Sequence, residues 1–421
     1  MDQPAPENGS MKISEKDLPP GPPIEEEEKE TLESQFKGTY YNEEFVRKHK
    51  LLRNIHPLIA NLAKNNRFEV IKYVSGGTYS RVSTVRSTVS GNVYAMKTVK
   101  KRSRDDTIPF SFLKEVLFAH GLKHTNIVDF KTCCSTKSEE GHTLFNLVFN
   151  LYPTNLDYVL FWSGVDITLE DTKYLIHSLL SGLKYIHSKR VIHRDVKPCN
   201  ICISHDGILK IIDFGMATFG DAKGGYRELS QFHHDVPADS KSVKSCDVCT
   251  PGFVAPELLF GCTRYGTEID VWSAGIVAAE ILLRQKMLEN GDNSEQLSQI
   301  ANLFGSISEE NWPNCEKLPL WNDHKEVVTG KGFGTISRTL ETSKALEVCV
   351  LFKKAEINYH IQYQFYGVQL VMKMTKLCPN QRCSVLDAMN DKWFECYPVP
   401  SKNIKSVIDN IKKRHSAKRS N

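Results

Sequence analysis

The sequence predicts an α+β fold with its strands gathered ahead of its helices, and three observations predict it. Residues 68–99 hold three short runs rich in β-branched and aromatic residues, broken by Gly76-Gly77 and Ser90-Gly91 turns. Residues 169–189 carry Leu175, Ile176, Leu179, Leu180, Leu183 and Ile186 at three- and four-residue steps, the period of a long buried helix. Further apolar helical stretches follow Asp270 and Arg382. Strands first and helices later place the chain among folds with segregated elements. At 421 residues and 40% apolar content it allows one large two-lobed domain or two ordinary ones.

A net charge of +4 is too small to imply nucleic-acid binding. The twelve cysteines are scattered, and no N-terminal apolar run resembles a signal peptide or membrane span. The expectation is a reduced, intracellular, soluble protein with no direct nucleic-acid or membrane contact.

In chain order, residues 1–40 combine six prolines with the acidic run Glu25-Glu26-Glu27-Glu28-Lys29-Glu30 and few large apolar groups. Such a segment buries too little surface to offset its ordering entropy, so disorder is expected. Residues 41–67 form a lead-in: from Glu43 to Ala63, Phe45, Leu51, Leu52, Ile55, Leu58, Ile59 and Leu62 recur at helical spacing. The main domain is expected over 68–395. Its strands run Phe68 to Val74, Arg81 to Ser87, Asn92 to Val99 and Leu144 to Tyr152, with a shorter pair, Ile201 to Ser204 and Ile208 to Ile212, around the Asp206-Gly207 turn. Glu115 opens an apolar-periodic run through Val116, Leu117 and Phe118. Residues 305–365 show no sustained period and read as an insertion between helices. Residues 396–421 read as a basic, mobile tail, with Lys412-Lys413-Arg414 and Lys418-Arg419 suited either to solvation or to a nuclear import signal.

The chemistry is concentrated in His193-Arg194-Asp195-Val196-Lys197-Pro198-Cys199-Asn200, followed by Asp213-Phe214-Gly215. An Asp, a Lys two residues on and an Asn five residues on can place a base, a phosphate-contacting cation and a metal ligand on one loop. Asp213 supplies a second metal ligand. This is equipment for moving a phosphoryl group.

The two stretches resemble the catalytic and metal-binding loops of eukaryotic protein kinases, and the flanking chain extends the resemblance over roughly 68–395. It implies a bilobal fold with a small, mainly β N-lobe and a larger, mainly α C-lobe, using ATP and Mg²⁺. By resemblance Asp195 is the base, Lys197 neutralises the γ-phosphate, Asn200 and Asp213 hold Mg²⁺, and Lys97 of Tyr94-Ala95-Met96-Lys97 orients phosphates while paired to Glu115. Val74, Ser75, Gly76, Gly77, Thr78, Tyr79, Ser80 and Val82 match the phosphate-covering hairpin, in which only Gly77 keeps one of the three usual glycines. Ala95, Phe149, Leu151, Tyr152 and Cys202 match the adenine pocket, Phe149 guarding its back and Cys202 forming its floor; Cys199 reads as a small buried residue. Residues 213–257 resemble an extended activation segment closing at Ala255-Pro256-Glu257, with Arg382 as partner of Glu257 and Asp270 bracing the catalytic loop. Lys197 resembles the Ser/Thr branch. Arg194 implies a phosphate received from Ser230, Ser240, Ser242, Ser245 or Thr250, or a partner in its place.

Two branches fit. Thr78 to Val82 and Thr250-Pro251-Gly252-Phe253 are similar to the Dbf-dependent replication kinases, which implies a Dbf-type subunit, the MCM helicase as substrate, and a nuclear location with a cytoplasmic pool. Val254 departs from that family, which usually has an arginine there. Ile108 to Glu115 and Gln296 through Trp312-Pro313 resemble cyclin-dependent kinases, which implies a cyclin. The first is the favoured reading and the second its alternative; a pseudokinase scaffold is the remote one. A zinc site from Cys246, Cys249, His233 and His234 is chemically open.

Overall fold

The computed structural model describes residues 67–76, 80–99, 108–138, 142–219, 249–329 and 358–419. The expected disorder of 1–40, the helix at 43–63 and most of the Cys246 site lie outside them.

The N-terminal lobe is an antiparallel sheet of β1 (Phe68–Gly76), β2 (Ser80–Ser87), β3 (Val93–Val99), β4 (Phe130–Lys137) and β5 (Thr143–Asn150), in the order β1-β2-β3-β5-β4. β1, β2, β3 and β5 fall within two residues of the strands expected, whereas β4 is not among those expected. Helix α1 (Phe110–Gly121) packs on one face, where Phe112, Leu113, Val116 and Ala119 meet Val99, Phe130, Cys133, Phe145 and Leu147. α1 starts five residues earlier than the periodicity suggested, so Glu115 lies mid-helix rather than at its opening. Pro109, extended at φ −63° and ψ 135°, sets that start, because proline suits a helix's first positions and lacks the amide its interior needs.

Past the link come β6 (Thr154–Asn155), α2 (Leu156–Phe161) and the long α3 (Leu169–Ser188). A reciprocal Thr168–Asp171 capping box opens α3, satisfying two amides that would otherwise lack partners. Then follow β7 (Val191–Ile192), β8 (Ile201–Ile203), β9 (Leu209–Ile211), β10 (Thr218–Phe219), α4 (Pro256–Leu259), α5 (Glu268–Leu283), α6 (Asn293–Phe304), α7 (Trp321–Thr329), α8 (Asn358–Met374), α9 (Val385–Met389) and α10 (Lys405–Arg419). α5 is apolar on all sides because it lies between two cores. Val271, Ala274 and Val277 face α3 and α8, whereas Ile269, Trp272 and Ile276 face α4, α6 and α7.

Two expectations are corrected. Residues 306–329 are no loose insertion: Ile307, Trp312, Cys315, Trp321 and Val328 are buried in the second core with Phe260 and Leu297. Turns, a 3₁₀ turn at Cys315–Lys317 and a nine-residue helix carry them, so no single period links them. The end of the chain is not a free tail. Ile404, Val407, Ile408 and Ile411 of the α10 segment are buried in the main core. The Ile404 amide donates to the Gly207 carbonyl at 3.1 Å. Gly207 (φ +77°) permits this approach, since a Cβ there would stand 2.2 Å from the Lys405 nitrogen. Among the described residues no helix is long and apolar enough to cross a membrane.

Candidate active site

The cleft between the lobes is lined by β1 to β3, the link after β5, the loop following β7 and the turn following β9. Cross-strand register fixes the upper residues: Val82 pairs with Lys97 and Ala95 with Phe149. Val74, Ser75 and Gly76 end β1, and Ser80 opens β2; Gly77, Thr78 and Tyr79 lie outside the described residues. Phe149 packs edge-on against Phe130, 5.7 Å between centroids, beside the N-lobe core. Leu151 and Tyr152 follow β5 directly. The Tyr152 hydroxyl accepts from the Asp129 amide (3.0 Å) and donates to its carboxylate (2.8 Å), and Lys210 pairs with the same carboxylate (2.8 Å). Cys202 reaches the cleft because β8 pairs with β6, Asn155 opposite Cys202. Burial pushes its thiol up to about 12, an inert apolar lining. Cys199, expected to be buried, is exposed, because the 3₁₀ turn Pro198–Asn200 buries its neighbours on either side instead.

Lys97 joins the lobes. Its ammonium lies 2.7 Å from Glu115 Oε1 and 2.6 Å from Asp213 Oδ1. Burial alone would lower its pKa, but the two carboxylates outweigh burial and raise it. Burial dominates at Glu115, whose pKa is raised; at Asp213 the lysine outweighs burial and the pKa is lowered. Asp213 is held at φ 64°, in the left-handed region, and also accepts from the Gly215 amide at 3.1 Å. A Cβ on Gly215 would lie 3.1 Å from Asp213 Oδ1, 3.3 Å from Lys97 Nζ and 3.5 Å from Glu115 Oε2. Only glycine leaves this cluster uncrowded.

Asp195 sits opposite. Asn200 Nδ2 donates to its carbonyl (2.9 Å) and to Oδ2 (2.8 Å), Lys197 lies 3.0 Å from Oδ2, and Thr250 donates to Oδ1 at 2.7 Å. Lys197 also donates to Thr250 Oγ1. The loop's shape comes from below: Asp270, fully buried, accepts from the amides of His193 (2.8 Å) and Arg194 (2.9 Å) and pairs with His187 (2.9 Å). Burial would lift the Asp270 carboxyl, but His187, His193 and these bonds outweigh it and hold it below the usual range. His193 accepts the Asp195 amide on Nδ1 (3.2 Å) and donates from Nε2 to the Ile212 carbonyl (3.0 Å), tying the two functional loops together. Arg382 closes the other end, with guanidinium nitrogens each 2.6 Å from one oxygen of Glu257.

Sequence reading did not assign Thr250 to the Asp195–Lys197 pair; it appeared only among candidate phosphate acceptors. The other candidates lie outside the described residues. It also missed Lys114. Burial and the nearby Arg194 and Lys97 push that lysine down to about 8, and it makes no ion pair among the described residues. Lys114's position directly before Glu115 was the available signal. Among the described residues no cluster of three or more His, Cys, Asp or Glu could hold a metal; of the zinc candidates only Cys249 is described.

The protein kinase domain model matches residues 68–394. The chain belongs to the protein kinase family. It is 30% identical to cyclin-dependent kinase 9 of Homo sapiens over 339 residues, covering 80% of this chain and 82% of that protein. It is 29% identical to a probable cyclin-dependent kinase 9 of Caenorhabditis elegans, covering 82% and 72%. Among solved structures it resembles a chain of the yeast RNA Pol II CTD kinase CTDK-1 complex, at TM-score 0.62 and 23% identity over 80% of this chain and 96% of that one. The protein is a serine/threonine kinase with the bilobal kinase fold, of a family that uses ATP and Mg²⁺. The relatives fit the cyclin-dependent alternative better than the replication-kinase reading.

Proposed function

We propose that this chain is the catalytic subunit of a cyclin-dependent-type kinase, phosphorylating Ser and Thr hydroxyls of protein substrates once a cyclin-type subunit binds. The observation that carries this is the similarity to cyclin-dependent kinase 9 across four-fifths of the chain. It agrees with the α1 segment, where Pro109 starts the helix and Glu115 meets Lys97 in the cleft.

Asp195 orients the substrate hydroxyl and accepts its proton; Asn200 and Thr250 hold its two oxygens, leaving the carboxylate little rotational freedom. Lys197, beside both, offsets charge that develops on the transferred group. Lys97, steadied by Glu115, orients the nucleotide phosphates. The donor set suits Mg²⁺. Asn200 uses its amide NH₂ on Asp195, leaving its carbonyl oxygen for a cation, and Asp213 is ionised; hard oxygens from few protein groups are what that ion takes. Bound by Asn200 and Asp213, Mg²⁺ would supply charge neutralisation at the phosphates.

The replication kinase with a Dbf-type subunit, acting on the MCM helicase in the nucleus, is the second reading. Favouring it, Gly252-Phe253-Val254 stands where cyclin-dependent kinases carry Trp-Tyr-Arg; Gly252, at φ +87°, donates its amide to Gln296 Oε1 at 2.8 Å. Purification of the chain from its source cells with identification of the stoichiometric partner separates the two. A cyclin supports the first reading, and a Dbf-type protein overturns it.

A further inference from the structure

Thr250-Pro251-Gly252-Phe253, beside the candidate base, is a tight turn: the Phe253 amide donates to the Thr250 carbonyl at 3.1 Å, and Gly252 sits at φ +87°. Proline at the second position and a positive φ at the third make it a type II turn. Its own residues do not impose that type. Proline at the second position suits types I and II alike, and glycine accepts either sign of φ. The two types differ by a flip of the peptide between Pro251 and Gly252, and here that peptide is pinned from outside. The Gly252 amide donates to Gln296 Oε1 at 2.8 Å, and Gln296 Nε2 donates to the Gly291 carbonyl at 2.9 Å. Gln296, on α6, is only 3% exposed, so both bonds are shielded from water. The Ser273 hydroxyl donates to the Phe253 carbonyl at 2.8 Å and fixes the far end of the turn. The link between α5 and α6 packs closely on it, a Cβ at Gly252 standing 3.2 Å from the Leu288 carbonyl oxygen.

We propose that Gln296 is a positioning residue for phosphoryl transfer: by holding the Pro251–Gly252 peptide in one orientation it sets where Thr250 stands and, through Thr250, how Asp195 is turned. The route is short. Thr250 opens the turn, and its hydroxyl donates to Asp195 Oδ1 at 2.7 Å. Without the pin the central peptide can flip, the turn exchanges between two shapes, and Thr250 is displaced from the carboxylate for part of the time. A shift of about 1 Å in a group that orients the base is enough to slow transfer strongly. Lys97, which orients the nucleotide phosphates, lies on β3 of the other lobe, so the effect falls on transfer rather than on ATP binding. The inference rests on Asp195 as the base.

The test is steady-state kinetics on a protein substrate, with the full-length chain and its co-purified partner. Gln296→Met removes both bonds at similar volume. The expected result is a kcat about tenfold lower with the KM for ATP unchanged. Gln299→Met, which takes a bond from the Glu289 amide (2.7 Å) on the same helix, should leave kcat as it is. Joining Gln296→Met to Thr250→Val tests the route: if Gln296 acts through Thr250, the double variant is no slower than Thr250→Val alone. Multiplied losses, or a Gln296→Met chain as fast as the parent, would overturn the proposal. Hydrogen exchange at the Gly252 amide of the native chain reads the pin without any substitution. Exchange about a hundredfold slower than at exposed turn amides is expected, and exchange as fast as theirs would overturn the proposal. A fully active Thr250→Val chain would overturn it by a different route, through the base assignment, and would leave the Gly252 amide slow.

Discussion

The hydroxyl of Thr250 donates to Oδ1 of Asp195 at 2.7 Å, while Asn200 holds Oδ2 at 2.8 Å. One end of the activation segment is thereby fastened to the carboxylate proposed as the base. Thr250→Val removes that bond with little change in volume. We expect turnover on a protein substrate to fall about a hundredfold, with the KM for ATP nearly unchanged, because the lost bond orients the base rather than the nucleotide. Thr250→Ser should restore most of the rate, and steady-state kinetics of the three proteins checks both statements.

Arg194 donates to the Met216 carbonyl (2.6 Å) and the Tyr265 hydroxyl (3.2 Å), and burial together with its charge lowers the pKa of nearby Lys114. An activation-segment phosphate arriving there would stabilise both cations and raise Lys114 from about 8 toward its ordinary 10.5. Phosphatase treatment of the active complex is expected to lower its activity, and Lys114→Gln/Arg194→Gln should be slow before treatment and insensitive to it. Activity assays on paired samples, with phosphosite mapping, check this.

Much of this site was legible because phosphoryl transfer needs its groups close together on short loops. Asp195, Lys197 and Asn200 sit within six residues, and Asp213 follows after one hairpin, so their spacing together with the resemblance to kinase loops carried their chemistry. The contacts of Thr250 and Lys114 were not legible, since each gains its role by meeting a residue distant in sequence. The α10 helix was different. Ile404, Val407, Ile408 and Ile411 follow a helical step that its many lysines and arginines obscured. Charge on the solvent face of a docked helix resembles charge on a free tail until the buried stripe is counted. In residues 306–329 there was no such stripe, because turns deliver Trp312 and Cys315 to the core one at a time.

Arg382 binds Glu257 through two 2.6 Å bonds and also donates to the carbonyls of Lys376 (2.8 Å), Glu268 (3.1 Å) and Leu377 (3.1 Å), with Trp272 beneath it. Removing the guanidinium leaves a buried carboxylate without its cation and takes a donor from three carbonyls. Arg382→Met should destabilise the fold by about 3–5 kcal/mol, whereas Glu257→Gln, which keeps the shape, should cost less. Urea unfolding of the three chains measures the difference.

Glu280 lies buried in α5, where desolvation raises its carboxyl to about 7, only partly offset by Lys286 at 3.8 Å. The folded chain therefore holds this proton more tightly than the unfolded one does. Stability from Glu280 is full below pH 4.5 and is lost as pH rises to about 7. Glu280→Gln should flatten that loss and leave the chain more stable above pH 7, by at most about 3 kcal/mol. Thermal melts of both chains from pH 5 to 8 should converge at the acid end.

The most direct test of the central claim is phosphate transfer from ATP to Ser and Thr side chains by the full-length chain with its co-purified partner, compared with Asp195→Asn and Lys97→Met. Transfer by the native complex and a loss of about a thousandfold in each variant, with folding intact by circular dichroism, is the result expected. Undiminished transfer by Asp195→Asn, or none by the native complex, would contradict it.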